Sequence, residues 1–196
     1  MKVFAHFPQM RDRWLKKPIG SQHYRHWLSE RGSLTLRLQR HSRKFAVQPV
    51  RQTRAKPPFH EAQMLYALPR QHSLLRDVIL RCDGEAVVFA HSVLPRQAMR
   101  GAWRGLGRLG NHSLGSALFA DPRMCRDALQ YKKLSPRHFL YRLAAAHIPQ
   151  LYGPVWARRS VFRLHQGAVL VTELFLPAVL ALPEADNKAL QPSVNT

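Results

Sequence analysis

The spacing of apolar side chains predicts several strands and a set of short helices. Residues 74–82 form an apolar run broken by Arg76, Asp77 and Arg81, Asp83-Gly84 follows, and residues 86–94 return as a mainly apolar run until Pro95. Asp-Gly suits the positive φ angles of a two-residue hairpin turn, so these two runs are predicted to pair antiparallel. Residues 160–165 and 168–176, joined through Gln166-Gly167, predict a second hairpin. Leu34, Leu36 and Leu38 alternate with Thr35, Arg37 and Gln39, which is strand spacing. A strand over 45–50, after the basic link 41–44, would complete a third pair. Ser21 as N-cap and Gly32 as stop bracket a helix. Residues 61–68 suit one or two helical turns, and 96–110 and 113–119 suit short helices broken by glycines. Residues 51–60 form a proline-rich connection, while the basic region after 119 has no distinct pattern. Tight turns between neighbouring strands, with helices in separate segments, predict an α+β fold on a mostly antiparallel sheet.

A chain of 196 residues with 45% hydrophobic side chains can bury one real core. That domain is expected over 21–180, after a basic, loosely packed leader over 1–20 and before a polar, disordered tail over 181–196. Lys and Arg number 31 against 11 acidic residues, a formal charge of +20. Such a field attracts nucleic acid, anionic membrane and small polyanions alike. The basic stretches, 25–43 and Arg158-Arg159 among them, carry no recognisable nucleic-acid module and no interleaved stacking aromatics, so no specific nucleic-acid partner is expected. No apolar run approaches the roughly 18 residues of a spanning helix. The charged first twenty residues offer no signal-peptide core. With two well-separated cysteines, Cys82 and Cys125, a reducing, cytoplasmic setting is expected. The histidines form neither HExxH nor a Cys/His quartet, so no metal is expected.

Two lone charges interrupt apolar strands. Glu173 shares a strand face with Val169, Val171 and Phe175, and the other face, Leu170, Thr172, Leu174 and Leu176, is no more polar. A carboxylate buried alone costs several kcal/mol, so it is paired or its pKa rises. Catalysis and a salt bridge to one of the arginines both remain open on that basis. Arg76 shares a face with Val78, Leu80 and Cys82, and its fork of donors fits a carboxylate. An internal pair with Glu173 or Asp77 is the structural alternative. The glycine-rich run 106–115 leads into a short helix but lacks the spacing of a phosphate-binding motif.

Four blocks, Ser33-Leu34-Thr35 with the segment after it, 74–95, 109–119 and 156–177, stand in the order found in the chorismate pyruvate-lyase family, which the chain resembles over about residues 21–180. The resemblance implies a single α+β domain with helices over one face of the sheet, enclosing a ligand cavity. It implies a lyase that removes pyruvate from chorismate to give 4-hydroxybenzoate, the first step of ubiquinone synthesis, without metal or organic cofactor. It implies that Arg76 and the backbone amides of Leu34 and Leu114 hold the ring carboxylate, and that Glu173 is the active-site glutamate. Glu173 would then act near the ether oxygen, as an acid with a raised pKa or as a hydrogen-bonding partner. Several relatives carry arginine where this chain has His91, which is expected to hold or guide substrate less well, or only when protonated. A monomer is expected. The non-catalytic alternatives are a sensing domain of the same fold for small aromatic acids and a basic nucleic-acid-binding protein.

Overall fold

Seven strands form one antiparallel sheet in the computed structural model, which describes residues 12–66, 71–100 and 103–183. They are β1 Phe45–Ala55, β2 Ser73–Cys82, β3 Glu85–Pro95, β4 Cys125–Arg126, β5 Gln130–Leu134, β6 Val155–Leu164 and β7 Gly167–Phe175. Their order is β1-β2-β3-β7-β6-β4, and β5 shares the β6 edge with β4. The helices are α1 Arg25–Leu28, α2 Leu34–Arg40, α3 Phe59–Met64, α4 Arg96–Arg100, α5 Leu114–Phe119 and α6 Phe139–Ala145. The α+β class and antiparallel sheet are those expected from the hairpins.

Both predicted hairpins are present, β2–β3 and β6–β7. Asp83 and Gly84 take φ angles of 50° and 91°, the left-handed pair that matches the twist of the flanking strands. The inner strands β2, β3 and β7 are covered on both faces. One face packs Val78, Leu80, Val88, Ala90 and Phe175 against Trp27, Leu28, Leu34 and Leu38 of α1 and α2. The reverse face packs Ile79, Phe89, Ala157 and Leu174 against Leu140, Tyr141 and Ala144 of α6. Helices therefore cover the cavity face, as expected, and α6 covers the reverse as well.

The alternating leucines at 34–38 are not a strand. Ser33 caps α2 by accepting from the Leu36 amide at 3.3 Å, and the helix buries Leu34 and Leu38 while leaving Leu36 half exposed. Residues four apart share a helix face, whereas a strand would have turned all three inward. β1 accordingly pairs with β2 and extends to Ala55, through the first half of the proline-rich connection. Pro49 is tolerated there because β1 is an edge strand, at a register shift between Pro49 and Arg51.

The region without a sequence pattern supplies β4, β5 and α6. Residues 12–20, expected to pack loosely, are tied to it: Leu15 and Tyr131 exchange backbone hydrogen bonds of 2.7 and 2.9 Å. Asp12 gathers Lys132, His138 and Arg159 around its carboxylate. The tail expected after residue 180 lies, beyond Pro183, outside the described residues, as do residues 1–11 of the leader.

Candidate active site

Strand alternation places Arg76, Val78 and Leu80 of β2 on the same sheet face as Ala90 and Ser92 of β3, Val171 and Glu173 of β7, and Arg158 of β6. The starts of α2 and α5 close over this face, and a cavity remains between sheet and helices. Arg76 and Glu173 sit two strands apart and one cross-strand row apart, roughly 10 Å across the sheet at about 4.8 Å per strand. Leu34 and Leu114 each open their helix directly after a serine N-cap, Ser33 and Ser113. First-turn amides have no acceptor within their own helix. Thr35 Oγ1 and Ser113 Oγ lie 2.5 Å apart and tie the two helix starts together. Gly115 makes room at this junction: a Cβ would stand 2.9 Å from Thr35 Oγ1, so the Thr35 side chain would have to shift.

Arg76 is fully buried and pairs with neither Glu173 nor Asp77. Its Nη2 donates to the carbonyls of Gly110 and His112, each at 3.0 Å, and its Nε has no acceptor. Burial lowers its pKa from the ordinary arginine value. The glycine-rich run thus contributes carbonyls to the arginine, made available by a turn in which Gly110 has φ +50°.

Glu173 is not isolated among apolar side chains. Arg158 Nε donates to its Oε2 at 2.5 Å, so the site contains the salt bridge that the sequence left open. Arg158 is held in turn by the Trp27, Leu28 and Glu30 carbonyls, all accepting from Nη1 at 2.7–3.2 Å. Arg126 stands beside this pair on β4. It donates to Ser160 Oγ at 2.7 Å and to the Arg31 carbonyl at 3.1 Å, and its guanidinium lies over the Phe162 ring at 5.0 Å. Burial pushes the Arg126 pKa down to about 10, against the opposing pull of Glu173. In the sequence Arg158 is one member of a basic stretch, and nothing in the local pattern marks Arg126. The available signal was the strand parity that puts Arg158 opposite Glu173.

The sequence profile of the family described as Chorismate lyase matches residues 15–182. The chain belongs to the chorismate lyase family. A probable chorismate pyruvate-lyase of Methylobacillus flagellatus is 78% identical over 174 residues, covering 89% of this chain and 98% of the relative. One from Nitrosomonas europaea is 42% identical over 170 residues, covering 86% and 96%. Among solved structures, the effector domain of PhnF from Mycobacterium smegmatis is similar with a TM-score of 0.54 and 17% identity, covering 74% of this chain and 89% of that one. That last likeness is one of fold.

His91 does not meet the expectation drawn from the chorismate lyase family. Arg76 is in register with Ser92, so His91 points to the opposite face and does not line the cavity. It is buried, with Nδ1 2.5 Å from Asp77 Oδ1 and Nε2 3.3 Å from Glu61 Oε2. Arg51 donates to the other Asp77 oxygen at 2.5 Å. Burial alone would lower the His91 pKa, but Asp77 and Glu61 raise it to about 9. Burial likewise opposes the ionised Asp77, yet His91 and Arg51 hold its pKa below the ordinary value. His91 is a cation between two carboxylates, which is a role that an arginine can also fill.

This network predicts a pH-dependent stability. The folded pKa of His91, about 9, is above the unfolded value of roughly 6.5. Its contribution is therefore full below about pH 6.5 and is lost as pH rises through about 9. Denaturant unfolding across that window should show a loss on the order of 3 kcal/mol. His91→Arg, a permanent cation, should flatten the profile. A wild-type profile that is already flat would refute the assignment.

Proposed function

We propose that this protein removes pyruvate from chorismate and releases 4-hydroxybenzoate, acting as a cytoplasmic monomer at the first step of ubiquinone synthesis. The observation that carries the reading is the cavity itself: a buried guanidinium with an unanswered N–H at one end, and a glutamate held by arginine at the other. Arg76, with the Leu34 and Leu114 amides, holds the ring carboxylate of the substrate. Glu173 faces the ring carbons that carry the hydroxyl and the enolpyruvyl ether.

The reaction balances without an outside reagent. The bond from the ring carbon to the ether oxygen breaks, and the hydrogen on the neighbouring hydroxyl-bearing carbon leaves. That hydrogen ends on the methylene carbon of the enolpyruvyl group, and the ether oxygen becomes the ketone oxygen of pyruvate. The original ring hydroxyl remains as the phenol. Aromatisation supplies the driving force, so the protein's task is orientation and charge placement. With Arg158 donating to it, Glu173 is set to accept a hydrogen bond from the ring hydroxyl and fix the ring as the ether bond opens. Donation of a proton by a neutral Glu173, the other expected role, fits this ion pair less well.

The test is incubation of purified protein with chorismate while 4-hydroxybenzoate and pyruvate are followed together. Equimolar appearance of both is expected. Tight binding of 4-hydroxybenzoate without turnover would favour a sensing domain, and neither binding nor turnover would refute the proposal.

A further inference from the structure

Arg158 and Arg126 carry more positive charge into the cavity than Glu173 can answer. Among the described residues, the cavity wall contains three arginines, Arg76, Arg126 and Arg158, and one acidic residue, Glu173. A structural account would make Arg158 a counter-ion for Glu173 and a clasp on the Trp27–Glu30 carbonyls. That account uses Nε and Nη1 only. Nη2 of Arg158 is buried and has no acceptor, although the side chain itself is wholly inaccessible. A buried donor left unsatisfied costs about 1–3 kcal/mol and calls for a reason. The account also leaves Arg126 without a carboxylate of its own, since it bonds a hydroxyl and a carbonyl.

The orphan N–H groups of Arg76 and Arg158 lie on one sheet face, on β2 and β6. Three strand spacings separate them, roughly 14 Å between backbones, and both side chains reach inward. The cavity therefore has a buried anion-seeking donor at each end and a formal excess of two positive charges.

We infer that Arg158 Nη2 and Arg126 form a second carboxylate subsite, which holds the carboxylate of the enolpyruvyl arm and selects dianionic over monoanionic ligands. The inference rests on the lyase reading and adds to it a division of labour. Arg76 reads the carboxylate that substrate and aromatic product share. Arg126 and Arg158 read the one that departs with pyruvate. Their charge also faces the enolate character that develops on the arm as the ether bond breaks, which a preorganised cation stabilises. Once pyruvate has left, the aromatic product makes no contact with this end through a carboxylate.

The experiment compares affinities of wild-type protein for 3-(carboxymethoxy)benzoate and its side-chain primary amide, which match in shape and differ by one charge. The dianion is expected to bind at least about tenfold tighter. In Arg126→Gln that preference should fall to about twofold or less, and KM for chorismate should rise at least about tenfold, while the Kd of 4-hydroxybenzoate stays within about twofold. Equal affinities for the two probes in the wild type would overturn the subsite, whether or not the variant folds. So would a parallel loss of 4-hydroxybenzoate binding in the variant. Chorismate turnover by the wild type is measured alongside. Turnover without dianion preference removes only the subsite, whereas its absence removes the lyase reading on which the subsite depends.

Discussion

Replacing Glu173 by Gln should lower kcat by about 10²–10³, the usual cost of losing one preorganised polar contact to the reacting centre. Gln keeps the length of the side chain but loses the charge that answers Arg158, now 2.5 Å from the carboxylate. Two effects are therefore expected together. Turnover falls because the ring hydroxyl loses a strong acceptor. Stability falls because a fully buried guanidinium loses its ion-pair partner, a change that costs about 3–5 kcal/mol where no other group compensates. The two separate cleanly in the measurement. Binding of 4-hydroxybenzoate, which on the proposed reading keeps its Arg76 anchor but loses the ionised acceptor for its phenol, should weaken by about tenfold at most, less than kcat falls, and single-turnover rates with saturating chorismate should report the chemical loss alone. Unchanged turnover in a folded Glu173→Gln would remove this residue from the reaction.

Arg76→Ala should have the opposite signature. Its guanidinium is buried, held by the Gly110 and His112 carbonyls, and leaves Nε without a protein acceptor. On the proposed reading, removing it takes away the cation for the carboxylate that substrate and product have in common. Both Kd of 4-hydroxybenzoate and KM of chorismate should rise, by about 2–5 kcal/mol or roughly thirty- to several-thousandfold. The free protein should be affected much less, since no carboxylate of the chain is left unpaired. Calorimetric titration with 4-hydroxybenzoate decides it, and an unchanged Kd would refute the anchor. A rise confined to chorismate would shift the shared-carboxylate role to the other end of the cavity.

The turns and alternation of the central hairpins were legible in the sequence because they are local. Asp83-Gly84 can take the left-handed angles of a tight turn at little cost, and a predominantly apolar run bounded by turns reads as a strand buried on both sides. The two lone charges stood out for the same reason, since a charge inside such a run must be answered by something. The leucines at 34–38 misled because spacing of two and spacing of four coincide over three residues. The cap at Ser33 was the available correction. β4, β5 and α6 carried no pattern because they bury few residues each and rely on β6 and the reverse sheet face for the rest.

What answered each charge was not legible. Glu173 meets Arg158 rather than Arg76 because β6 and β7 are neighbours, whereas β3 separates β7 from β2. His91 turns away from the cavity because the register across the Asp83-Gly84 turn sets Arg76 opposite Ser92. A shift of one residue would have reversed that, since neighbours along a strand face opposite ways. The sequence by itself determined the fold class, the hairpins, the family resemblance and which charges demanded partners, all properties of local pattern and short-range sterics. Only the tertiary structure decided who those partners are, which face His91 serves and which arginines surround Glu173. Those depend on strand order and register, which bring together residues far apart in the chain.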